Sequence, residues 1–152
     1  MKLWYQSLAR QTESTPYGTM LRRVVDSACD AGTTIHIQGV GEFAGIGVHY
    51  RFLEYHDTRE VIYNAMQAER EGYDAFLIGN ISDAGIREAR EVVGIPVLGL
   101  CETSLHVACM MGANFSLVTI SESKRGGYAT PTGDFQERIR KHYGPEVYPG
   151  AT

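Results

Sequence analysis

The sequence predicts an α/β fold with a mostly parallel sheet and helices on both faces. Three observations lead there. Strand-like and helix-like segments alternate along the chain, the pattern of strands joined by crossover helices. The run at 75–78 is short, apolar and closed by Gly79, as a buried strand is. Gly32, Gly72, Gly94 and Gly112 each follow a helix-like segment, where a left-handed residue ends a helix at least cost.

The elements follow in order. Lys2 to Leu8 is apolar and aromatic, a first strand. Thr15-Pro16 places an N-cap before a proline at the first helical position, and Leu21, Val24, Val25 and Ala28 recur at helical spacing. Thr33 to Gln38 mixes β-branched and polar residues as a second strand does. Gly39 to His56 is rich in glycine and carries Phe43, His49, Tyr50 and Phe52, which suggests an aromatic-bearing lid. Asp57 and Glu60 have the spacing of a capping box, and Val61, Ile62, Ala65, Met66 and Ala68 give the following helix its apolar face. Ala75 to Ile78 is the third strand. Ser82 or Asp83 is placed to cap a helix that turns Ile86, Ala89 and Val93 inward. Ile95 to Leu100 is a fourth strand, Glu102 to Met111 a helix, Phe115 to Ile120 a fifth strand and Pro131 to Tyr143 a last helix. Crossovers between such strands are right-handed, and ligands bind beyond the carboxyl ends of the strands.

Bulk properties narrow the function. The 152 residues are 43% hydrophobic and 21% charged, with a formal net charge of −4. The densest basic group, Arg138, Arg140, Lys141 and His142, is short and shares its segment with Glu137. It reads as a solvated helix face and not as a nucleic-acid stripe. Cys29, Cys101 and Cys109 are odd in number and form no CxxC, so neither a disulfide framework nor a zinc site is expected. The five histidines have no metal-ligand spacing. No membrane span or signal peptide is evident, and a cytoplasmic protein acting on a small molecule is expected.

Two turns stand out at expected strand ends. Gly79-Asn80-Ile81-Ser82-Asp83-Ala84-Gly85 joins a strand to a helix whose first N–H groups favour an anion; it is equally an ordinary turn with a capping side chain. Gly99-Leu100-Cys101-Glu102-Thr103-Ser104 is of the same kind. There Glu102 is either a base or orienting carboxylate, or a complement to the helix dipole. Cys101, close to a helix N-terminus, is in a setting that lowers a thiol pKa, while Cys29 and Cys109 read as inert. Gly39-Val40-Gly41-Glu42-Phe43-Ala44 fits the loose GxGxxA pattern, but no helix-like segment follows it, so dinucleotide binding is not expected.

Taken together, several blocks resemble the Asp/Glu/hydantoin racemase superfamily, in particular its hydantoin and allantoin racemase branch. They are Asp74-Ala75-Phe76-Leu77-Ile78-Gly79-Asn80, the run from Asp83 to Glu91, Ile95-Pro96-Val97-Leu98-Gly99-Leu100, Glu102-Thr103-Ser104 and Phe115 to Ile120. Trp4-Tyr5-Gln6-Ser7 is similar to that family's first strand and substrate loop. The resemblance covers about residues 2 to 125. It implies a pair of Rossmann-like α/β lobes, here a first lobe over 1–98 and the start of a second, incomplete one over 99–152. It also implies proton transfer beside a carbonyl without cofactor or metal. Asn80 stands where the family pattern has a cysteine, so it is expected to polarise and not to act as a base. Gln6, Ser7, Gly79, Ser82, Glu102 and Thr119 are expected to bind substrate. The second cysteine of the pattern belongs to a part of the second lobe not found here, which implies that roughly 80–100 residues are absent, judged from the size a lobe needs for a core. The expected function is a racemase or epimerase acting on a substrate such as a hydantoin. The alternatives are a binding domain without chemistry and a relative of the one-cysteine decarboxylases. An incomplete lobe leaves a sheet edge open, so a homo-oligomer is expected.

Overall fold

The computed structural model describes residues 1–10, 14–41 and 51–116, with the side chains of 51–53 outside the description. Eight elements alternate: β1 (Lys2–Gln6), α1 (Pro16–Ser27), β2 (Thr34–Gln38), α2 (Arg51–Arg70), β3 (Ala75–Ile78), α3 (Ile86–Val92), β4 (Val97–Gly99) and α4 (Leu100–Met111). The four strands form one sheet in the order β2-β1-β3-β4, and every pairing is parallel. The chain divides into two units, Met1–Ser104 and Leu105–Thr152, and the first holds the whole sheet. The α/β fold expected from the alternation is the fold found. The strand expected from Phe115 lies largely outside the described residues, and the helix from Pro131 wholly so.

Strand order fixes where the helices go. From β1 the chain moves outward one way to β2, and from β3 the other way to β4. Right-handed crossovers in opposite directions put their helices on opposite faces. One face carries Trp4, Phe76, Ile78 and Val97 against Val61, Ala65 and Ala68 of α2 and Ile86 and Ala89 of α3. Phe76 at its centre is 0% exposed, a burial that contributes about 2–3 kcal/mol. Trp4 meets His36 and Tyr73 edge-on, with ring centroids 4.6 and 5.1 Å apart. On β2 lies α1, where Arg22 Nη1 donates to the Ile35 carbonyl at 2.7 Å.

Local signals set some boundaries and not others. Thr15 is the N-cap of α1, its hydroxyl accepting from Gly18 N at 3.0 Å, with Pro16 following. Thr15→Ala is expected to lower stability by about 1 kcal/mol in urea unfolding. Other expectations are corrected. Asp57 and Glu60 do not cap α2, because that helix already begins at Arg51 and so takes in residues 51–56, expected to be loop. Asp57 is buried within it. The Glu60 carboxylate instead accepts from Gly41 N at 3.0 Å through each oxygen. Val40 is 1% exposed and sits in the core, so the start of the expected lid is anchored; residues 42–50 lie outside the description. Leu100, expected to end a strand, opens α4 directly after β4.

Candidate active site

Strands are added outward in opposite directions from β1 and from β3, so the switch point of this parallel sheet lies between their carboxyl ends. Open α/β sheets bind ligands at such a switch point. Ser7 follows β1, and Gly79 and Asn80 follow β3. Ladder bonds draw these ends together: Ser7 N donates to the Gln38 carbonyl at 2.7 Å, and Gly79 N to the Gln6 carbonyl at 2.8 Å.

Asn80 heads a tight polar turn. Its Oδ1 accepts from Ser82 N at 2.7 Å and from Ser82 Oγ at 2.8 Å. Asp83 N donates to the Asn80 carbonyl at 3.0 Å. Ser82 thus fixes the orientation of the amide by holding its oxygen. The Nδ2 group makes no hydrogen bond to a described residue and remains a donor at the half-buried strand end.

Asp83 does not cap α3, whose N-cap is Gly85 with no side-chain bond. The Asp83 carboxylate reaches α4 instead, accepting from Cys101 N at 2.9 Å and Glu102 N at 2.8 Å. Its φ of 48° turns the side chain that way, a conformation Asp tolerates better than most residues. Gly99 leaves the space: a Cβ there would come within 2.5 Å of Asp83 Cγ. The first amides of α4, expected as an anion site, are therefore occupied by a residue of the chain itself. The two expected turns are one latched assembly.

The structure treats the other expected site residues differently. Gln6 is 0% exposed. Its Oε1 accepts from Trp4 Nε1 at 3.2 Å and Asn64 Nδ2 at 2.9 Å. Its Nε2 donates to the Ser7 and Gln38 carbonyls at 3.0 and 3.2 Å. An amide offers two donors and two acceptor positions, so Gln6 is fully engaged and acts as an internal hub under the strand ends. Ser7 is also buried, and its Oγ accepts from Ala9 N at 3.1 Å. The Glu102 carboxylate forms a forked ion pair with Arg90 at 3.0 and 3.1 Å. Arg90 in turn donates to Val97 O at 2.8 and 3.0 Å, which draws Glu102 toward the start of β4. Thr119 lies outside the described residues. Cys101 is buried and Cys29 half-buried, whereas Cys109 is exposed and not part of a core. Among the described residues no cluster of His, Cys, Asp or Glu could hold a metal.

Tyr5 was not among the expected site residues. It precedes Gln6 on β1 and faces the other side of the sheet. Its ring leans along the strand until its phenolic end lies over Gly79, where a Cβ would overlap it. Burial raises the Tyr5 phenol above its ordinary value of 10, and the neighbouring Tyr17 of α1 adds to the rise. The sequence signal was the glycine beside a tyrosine on adjacent parallel strands, legible only once the register is known.

A parallel sheet whose strand order turns at β1/β3, with helices packed on it, defines a doubly wound α/β domain. The chain belongs to the Asp/Glu/Hydantoin racemase family, whose sequence model matches residues 49–142, more than half of it. A hydantoin racemase of Pseudomonas sp. (strain NS671) is 43% identical over 67 residues, 44% of this chain and 27% of that protein. One from Rhizobium meliloti is 40% identical over 53 residues, 35% of this chain and 22% of that protein. Among solved structures, allantoin racemase from Klebsiella pneumoniae superposes with a TM-score of 0.74 at 18% identity, covering 97% of this chain and 56% of that one. That from Pseudomonas fluorescens gives 0.73 at 18% identity, covering 97% and 57%. These likenesses show the fold. The chain spans little more than half the length of the solved structures it matches. The superfamily that the sequence resembles is the one whose model matches the chain. No helix among the described residues is long and apolar enough to cross a membrane.

Proposed function

We propose that this protein takes part in cofactor-independent racemisation or epimerisation, removing the proton next to a carbonyl of a small cyclic substrate such as a hydantoin. The observation that carries this reading is the polar turn from Gly79 to Asp83 at the β1/β3 crevice of a chain in a racemase family. Proton loss beside a carbonyl leaves a planar carbanion whose charge moves onto the carbonyl oxygen. A fixed donor near that oxygen lowers the barrier. Asn80 is suited to that role, since Ser82 holds its oxygen and leaves its amide N–H groups for a ligand. Gly79, next to Asn80, gives its side-chain space to the Tyr5 ring.

An amide is no base near neutral pH. The proton is therefore taken by a group other than Asn80. Inversion needs a second group on the opposite face to return a proton. The test is proton NMR of an enantiopure 5-substituted hydantoin in D₂O. The C5–H signal is expected to vanish faster with the protein than in buffer. Persistence of the signal for a hydantoin that demonstrably binds would instead make this a binding domain without chemistry.

A further inference from the structure

Building on the hydantoin reading, we infer that Tyr5 is a substrate-binding residue whose hydroxyl donates to the carbonyl oxygen adjacent to the reacting carbon. The inference starts from register. Tyr5 pairs with Leu77, and Gln6 with Ile78, so the switch-point crevice opens one residue further on, at Ser7 and Gly79. A strand side chain leans along its strand. That lean carries the phenol from Tyr5 toward Gly79, the residue before Asn80, and the missing Cβ of Gly79 gives the ring its place.

The hydroxyl has nothing else to do. It bonds no described residue, although the ring is half-buried. A half-buried hydroxyl at a ligand crevice is readily satisfied by a ligand acceptor. Its neighbour Gln6, by contrast, has all four amide positions filled, so of these adjacent polar side chains Tyr5 is the one with a donor to offer. Asn80 Nδ2 is a second open donor one residue from Gly79. A carbonyl oxygen has two lone pairs and accepts from both. A phenol is protonated throughout the neutral range, as a donor must be, and burial moves its titration further up. Tyr17 at the start of α1 is close enough to act on it electrostatically, which places α1 beside the same crevice.

The test compares the protein with Tyr5→Phe, which keeps the ring over Gly79 and removes only the hydroxyl. The ligands are a 5-substituted hydantoin and the matching 2-imidazolidinone, which lacks the carbonyl next to C5. Kd is measured by NMR titration with tyrosine labelled at ¹³Cζ. The expected result is a hydantoin-induced shift of the Tyr5 ¹³Cζ resonance and a Kd roughly three- to tenfold weaker in Tyr5→Phe, the loss of one neutral hydrogen bond. The imidazolidinone should bind both proteins alike. Equal hydantoin affinity in the two proteins would overturn the role of Tyr5 while leaving the hydantoin reading standing. Equal weakening for both ligands would overturn the assignment to that carbonyl. Failure of the unaltered protein to bind any 5-substituted hydantoin would remove the hydantoin reading and this inference with it.

Discussion

Asp83→Ala is expected to lower the free energy of unfolding by about 2–4 kcal/mol, since it removes two charge-assisted hydrogen bonds to poorly exposed amides. Asp83 is 5% exposed, and its carboxylate serves the second and third residues of α4, Cys101 and Glu102. A negative charge also complements the positive end of the helix dipole. Asp83 adopts a left-handed φ of 48°, so alanine adds backbone strain. Asp83→Gly separates the two effects. Glycine accepts that φ freely but restores no acceptor, and it should remain destabilised by about 2 kcal/mol or more. Asp83→Asn, with one acceptor oxygen, should fall between. Urea unfolding of the three variants reads this directly. Full recovery in Asp83→Gly would show that strain, and not the latch, governs the position.

Gln6→Leu should cost a similar amount, about 2–4 kcal/mol, despite its matched volume. The amide joins β1 to β2 through the Gln38 carbonyl and to α2 through Asn64. Leucine leaves the buried Trp4 Nε1–H without its acceptor, and an orphaned buried donor costs roughly 1–3 kcal/mol by itself. Asn64 is only partly buried and can turn to water. The Gln38 carbonyl keeps its bond from Ser7 N. The loss is thus concentrated at Trp4, and indole fluorescence should shift along with the unfolding midpoint. A change below about 0.5 kcal/mol, the range of an ordinary surface substitution, would contradict a hub at Gln6.

What the sequence revealed depended on how far each signal reaches along the chain. The third strand was legible because Ala75 to Ile78 is apolar and ends at a glycine, and the structure places β3 on those residues. The Thr15-Pro16 start of α1 was legible because its cap is closed within three residues. The Asp57–Glu60 spacing misled because the helix starts six residues earlier, and Glu60 serves Gly41, 19 residues upstream. Asp83 looked like a local cap, yet its partners are 18 and 19 residues ahead. Glu102 looked available at a strand end, but Arg90 on the preceding helix takes it. Residue types and their neighbourhood could be read; partners chosen by strand register could not. Asn80 was found through a motif, whereas Tyr5 needed the pairing of β1 with β3.

That pairing also bears on how the protein acquires its shape. β1 is synthesised first but takes one sheet neighbour from 32 residues downstream and the other from 72, as in Leu3 with Ile35 and with Ala75. Closing the longer loop costs more chain entropy, and folds rich in distant contacts assemble slowly. The two walls of the crevice therefore meet only after β3 has left the ribosome and displaced solvent from the open side of β1. Until then the nascent chain presents β1 with one edge open, and chaperone engagement is expected to peak in that interval.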